Sequence, residues 1–120
     1  MALKVKRIYE ATAKADGMRI LVDRLWPRGI AKEQAKIDLW LREIAPSDAL
    51  RKRFHAKPAL WGTFLSAYCA ELESEAAQEA VTALRRHLRK GTVTLLYAAR
   101  DEAHNNAVAL KAWLTRRKPS

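Results

Sequence analysis

Residues 19–29 read RILVDRLWPRG, where the apolar run Ile20, Leu21 and Val22 stops abruptly at an acid, two arginines, a tryptophan and a proline. A short β-rich apolar run bounded by turn residues reads as a buried strand, and α/β proteins place ligands at the C-terminal ends of such strands. A second run of the same kind, 92–98 (TVTLLYA), ends in Arg100, Asp101, Glu102, Ala103, His104 and Asn105. Two strand ends then converge on one candidate site that begins at Asp23.

The remaining pattern supplies the rest of a layered domain. Residues 3–9 (LKVKRIY) alternate as a strand does, and Asp16-Gly17 marks a turn into the strand at 18–23. The linker between these strands has no room for a crossover helix, so the pair is expected to be antiparallel or not directly paired. Residues 31–45 carry a mixed pattern (Ile37, Leu39, Trp40, Leu41, Ile44) that reads as partly helical. Pro46-Ser47-Asp48 reads as a helix start, with Ser47 as cap and Asp48 in the first turn, and the helix ends near His55. Lys57-Pro58 opens the next helix, whose Trp61, Phe64, Leu65, Tyr68 and Leu72 share one face. After a break near Ser74, Ala77, Val81, Leu84 and Leu88 form a second stripe, and Gly91 stops it. The stripe Ala103, Ala107, Leu110, Leu114 makes a last helix. A helical block between two buried strands is the ordinary connection of parallel neighbours. The expectation is a small, layered, single-domain α/β fold over 1–116, with a short, mostly parallel sheet flanked by helices and a basic tail at 117–120.

Composition narrows the functional classes. At 120 residues the chain can bury a core without staples. A single cysteine, Cys69, excludes an intramolecular disulfide and a thiolate cluster, and the three histidines show no metal-ligand spacing, so no structural metal is expected. No run has the length of a membrane span or the form of a signal peptide, and the cytoplasm is the expected compartment. Lysine and arginine number 23 against 13 acids, a net charge of +10. Such a surface attracts phosphate-bearing partners without specifying them, and is equally read as a solvated basic face.

At the first strand end, Asp23 reads as a general base, a metal ligand or the orienting partner of a neighbouring arginine; the plain alternative is an ion pair with Arg24 or Arg28. Arg24 and Arg28 offer planar forks for phosphate or carboxylate, and Lys32 adds a point charge. Trp26 stacks on a base or, more commonly, anchors its loop on the core; Gly29 permits a positive backbone angle. At the second end, Arg100 and Asp101 precede the last helix, whose free amides favour an anion. His104 and Asn105 are hydrogen-bonding candidates there, with Asp101 or Asn105 also able to cap the helix, Asp101 being favoured as the cap. Tyr97 either presents its hydroxyl to the cleft or packs within the sheet. Asp23, Arg24, Tyr97 and Asp101 are the candidates for chemistry, and Trp26, Arg28, Gly29, Lys32, Arg100, His104 and Asn105 those for binding. No cofactor motif is present.

These residues carry a family resemblance. The stretches RILVDRLWPRGIAKEQAKIDLWLREIAPSDALRKRF, the helix with Trp61, Phe64, Tyr68 and Glu71-Leu72, and TLLYAARDEAHNNAVAL resemble the YeaO-like branch of the bacterial domain-of-unknown-function family 488. The resemblance covers nearly the whole chain and implies an α/β fold without supplying a reaction. Other branches carry a cysteine and a histidine where this chain has Asn105 and Asn106, which turns expectation away from thiol chemistry and toward binding or acid/base work. Some relatives bear a transcription-regulator label. The leading expectation is a phosphate-bearing ligand, nucleotide or nucleic acid, at the strand ends, with enzymatic turnover left open. The alternatives are a DNA-binding regulator built on residues 47–72 and a non-enzymatic partner-binding protein.

Overall fold

The computed structural model describes residues 2–56 and 58–116, with side chains at 55, 56 and 58 left aside. The basic tail expected at 117–120, and Lys57 at the opening of the third helix, lie outside the described residues. Strands β1 (Leu3–Arg7), β2 (Met18–Leu21), β3 (Leu39–Trp40) and β4 (Val93–Tyr97) form one sheet in the order β1-β4-β2-β3. Every pairing is parallel. The fold is α/β, as the apolar runs imply.

β1 and β2 are not paired to each other, because β4 lies between them: Val5 and Ile20 both oppose Leu95. The connection crosses one strand without an α-helix, turning through a 3-10 segment at Lys14–Asp16 and then Gly17 at φ 65. A Cβ on Gly17 would sit 2.3 Å from the Thr92 carbonyl oxygen, so close approach as well as the backbone angle demands glycine.

All five residues of β4 are buried, as expected for a strand covered on both faces. The pleat sorts them. Val93, Leu95 and Tyr97 join Ile20 and Val22 in the larger core, whereas Leu96, Leu21 and Ile8 join a smaller core on the opposite face. Residues 31–45 are only briefly helical: a single turn α1 (Lys32–Ala35), then β3, then a 3-10 turn at Arg42–Ile44. Their mixed periodicity reflects these short pieces. Ala35, Ile37 and Trp40 cover the smaller core.

The larger core is closed by α2 (Asp48–Ala56), α3 (Trp61–Leu72), α4 (Gln78–Lys90) and α5 (Asn106–Thr115). Ser47 caps α2, its hydroxyl accepting from the Leu50 N–H at 3.2 Å. The same residue donates from its N–H (2.7 Å) and hydroxyl (2.6 Å) to the Glu71 carboxylate, which docks the start of α2 on α3. On α3, Phe64, Tyr68 and Leu72 recur every four residues and are buried, and the Tyr68 hydroxyl donates to the Ile44 carbonyl at 2.5 Å. α4 buries Val81, Leu84 and Leu88 and ends at Gly91. α5 starts three residues later than Ala103, which is exposed. Its N-cap is Asn105, whose side chain accepts from the Val108 N–H at 2.9 Å. Asp101 is therefore not the cap; it sits too far upstream and organises the preceding turn instead.

Candidate functional site

Because the strands are parallel, their C-terminal ends share one edge of the sheet, and the segments leaving them surround a cleft of about 1120 Å³. Arg7 and Tyr9 enter from β1, residues 23–28 from β2, Ala98–Asp101 from β4, and His104–Asn106 from the start of α5. Arg51 and Phe54 of α2, with Phe64 of α3, complete the wall. Five arginines and two aspartates line it, so its charge is strongly cationic.

Asp23 is half-buried, and both carboxylate oxygens are engaged: one accepts from the Ala98 N–H at 3.0 Å, the other from the Asn106 amide at 2.9 Å. Asn106 also donates to the Val22 carbonyl at 2.9 Å. Asp23 thus fastens the end of β2 to the end of β4 and the start of α5. Burial pushes its carboxyl above the ordinary range, with the Asn106 and Ala98 hydrogen bonds and the Arg51 charge pulling partly back. Its side chain makes no ion pair with Arg24 or Arg28 among the described residues.

Arg24 spends its guanidinium on the Pro46 and Ala45 carbonyls, both at 3.1 Å, holding the chain that leads into α2. Trp26 donates to the Ile30 carbonyl at 2.8 Å and meets Trp40 edge-on at 5.5 Å, so it closes its own loop while lining the cleft. Gly29 takes φ 74 in that loop and faces open space, which makes its contribution one of backbone angle. Arg28 is exposed and lines the cleft, and its carbonyl accepts from the Tyr9 hydroxyl at 2.8 Å. Lys32, exposed on α1, does not line it.

On the other side, Arg100 is exposed and lines the cleft. Asp101 accepts from the backbone N–H of Ala103 (2.9 Å) and His104 (3.0 Å) and from the His104 ring at 3.1 Å. Those two backbone donors, with the ring, hold its carboxyl below the ordinary value. Two amides of the turn before α5, those of Ala103 and His104, are thus already engaged by Asp101. Asn105 is buried under the cleft, and its amide donates to the Asp101 carbonyl at 2.9 Å. Tyr97 is buried in the larger core and does not line the cleft, since it shares a strand face with Leu95; burial raises its hydroxyl's pKa.

Arg7, Tyr9 and Asn106 were outside the candidate site residues read from the sequence. Arg7 ends β1 and Tyr9 lies in the turn just after it, where the strand-end argument applied to 18–23 and 92–98 also finds them. Asn106 stood out only as a departure from the family pattern, and nothing local marks it as the partner of Asp23. Among the described residues no three or more His, Cys, Asp or Glu side chains converge as a metal site.

The fold defines a small parallel α/β protein with an arginine-lined cleft at its strand ends. Residues 2–119 match the family model described as the inactive DUF488-N3 subclade. The chain is 44% identical over 114 residues to the uncharacterised protein YeaO of Escherichia coli, covering 95% of this chain and 97% of the relative. It is 36% identical over 115 residues to an uncharacterised protein of Mycobacterium tuberculosis, covering 96% of this chain and 95% of that one. The chain belongs to the YeaO-like DUF488 family. No solved structure matches it. Among the described residues no helix is long and apolar enough to cross a membrane.

Proposed function

We propose that this protein binds a phosphate-bearing ligand, nucleotide or nucleic acid, in the cleft at its strand ends and does so without turning it over. The observation that carries the reading is the pair Arg28 and Arg100. Both line the cleft, and neither guanidinium has an ion-pair partner among the described residues. A planar guanidinium matches phosphate oxygens in a bidentate way, and a net charge of +10 draws polyanions toward such a groove. Binding without turnover is supported by the acids. Asp23 has both oxygens committed to Ala98 and Asn106, and Asp101 is committed to its own turn. The description of the matching subclade as inactive points the same way.

Calorimetric titration with inorganic pyrophosphate, a nucleoside triphosphate, and single- and double-stranded oligonucleotides at low and moderate salt tests the reading. Binding should weaken as salt rises, and Arg28→Ala and Arg100→Ala should each weaken it with little change in folded stability. Absence of binding at low salt removes the proposal. Unchanged affinity beside a large loss of stability would assign the loop to the fold. The regulator reading draws on the exposed Arg51, Lys52 and Arg53 of α2, but the helix that follows buries Phe64, Tyr68 and Leu72. A marked sequence preference for one duplex would move the assignment there.

A further inference from the structure

Tyr9 is a large ring that neither core uses: it is 44% exposed at the cleft mouth and belongs to neither buried cluster. It is nonetheless held in place. Its hydroxyl donates to the Arg28 carbonyl at 2.8 Å, and the Arg7 guanidinium lies 5.0 Å from the ring centroid. Arg7 is itself fixed, donating to the carbonyls of Ala99 at 2.8 Å and Ala98 at 3.0 Å beyond β4. An exposed aromatic held at its hydroxyl and backed by a cation presents a ready surface for a flat ring. Leu25, 59% exposed, lines the same cleft.

Two further observations bear on the size of the ligand. The cleft, at about 1120 Å³, exceeds the roughly 300–1000 Å³ typical of small-molecule sites. Beyond the cleft, Lys52 and Arg53 are exposed on the helix that contributes Arg51 to its wall. A free nucleotide does not need a cleft of this size, whereas a strand of several nucleotides fills it.

Building on the phosphate-binding reading above, we infer that the ligand is a single-stranded nucleic acid, with one base stacked on Tyr9 and its phosphates held by Arg28 and Arg100. Basic grooves combined with exposed aromatic rings are how proteins hold single strands, because every base has a face to stack and every nucleotide a charge to neutralise. A duplex keeps its base faces within its own stack and cannot offer one to Tyr9.

Fluorescence anisotropy with a labelled oligothymidylate and oligouridylate of about twelve nucleotides, a duplex of equal length, and thymidine monophosphate and inorganic pyrophosphate as competitors tests this. The single strands should bind more tightly than the duplex and far more tightly than the monophosphate. Tyr9→Ala should weaken strand binding about 5- to 150-fold relative to Tyr9→Phe, whereas pyrophosphate competition should be the same in the two variants, since both lose the hydroxyl's bond to the Arg28 carbonyl. The double variant Lys52→Ala/Arg53→Ala should weaken the oligonucleotides and spare the monophosphate. Tighter binding of one oligonucleotide assigns the strand as DNA or RNA. Equal affinity for monophosphate and strand, a preference for duplex, or a Tyr9→Ala protein that binds as the wild type does would overturn the inference. Pyrophosphate binding without strand binding removes the strand and leaves the phosphate site standing; binding of neither removes both.

Discussion

Two groups of charges, one beside the start of β2 and one beyond its end, are built on opposite rules. Near the start, Arg19 and Asp16 are both almost fully buried and paired at 2.6 Å, and Lys6 reaches the same carboxylate at 3.2 Å. Arg19 completes its hydrogen bonds on the carbonyls of Lys36 and Ala35, both at 3.0 Å. Every charge there is answered. Beyond the end, the cleft holds five arginines against two acids whose oxygens are already engaged, and Arg28 and Arg100 stand exposed. Desolvated charge must be neutralised locally, whereas a solvated excess keeps its hydration and stays available to an anion. The first cluster is closed on itself, whereas in the second Arg28 and Arg100 are left to solvent.

The largest test removes one partner of the buried pair. Arg19→Ala leaves the buried Asp16 with Lys6 as its one remaining cation and the Ala13 N–H as its backbone donor, and should cost about 3–5 kcal/mol in denaturant unfolding. A loss below about 1 kcal/mol would break the distinction between the clusters. Next in size is Asp23→Asn at the cleft floor. An amide cannot accept from both Ala98 N–H and Asn106, so one donor loses its partner, and unfolding should show a loss of about 1–3 kcal/mol. A neutral result would mean that Asp23 does not join the strand ends.

Carboxylate titration by NMR sharpens the same contrast. For Asp16, burial raises the pKa, but the Ala13 N–H and the Lys6 and Arg19 partners outweigh it and leave the group below its ordinary 3.8. Asp23, raised mainly by burial, should titrate above 3.8. The signs of their linkage are opposite. Asp16 contributes stability that is present above its unfolded pKa and lost as pH falls through its lower folded one. The Asp23 contribution is present below its unfolded pKa and lost as pH rises through its higher folded one. Two carboxylates titrating in the reverse order would refute the assignment of which acid is governed by paired cations and which chiefly by burial. The smallest stability change is expected at the exposed arginines, where Arg28→Ala and Arg100→Ala should stay within about 0.5 kcal/mol of wild type in the same unfolding assay. A larger effect would place them with the buried network.

Much of the fold was legible in local patterns. The runs at 18–23 and 92–98, the stripes on α3 and α4, the Ser47 cap and the Gly91 stop each depend on neighbours a few residues away, which short-range periodicity reports directly. The same patterns placed Asp23, Arg28, Arg100 and Asp101 at strand ends, and parallel pairing is enough to bring such ends to one edge. The two-residue β3 left no readable period, so residues 31–45 blurred into a partial helix.

Long-range contact decided the rest. That β4 inserts between β1 and β2 is a pairing across some seventy to ninety residues of sequence, as the partnerships Leu3 with Val93 and Met18 with Val93 illustrate, and no local signal encodes it. That insertion brings Arg7 and Tyr9 to the cleft, sets Asn106 against Asp23, and faces Tyr97 into the core. Sequence therefore determined which segments form strands and helices and where charge accumulates, because those depend on each residue's own chemistry and near neighbours. Only the tertiary structure decided which charges are answered and which remain free, because desolvation and pairing depend on atoms brought together from distant parts of the chain.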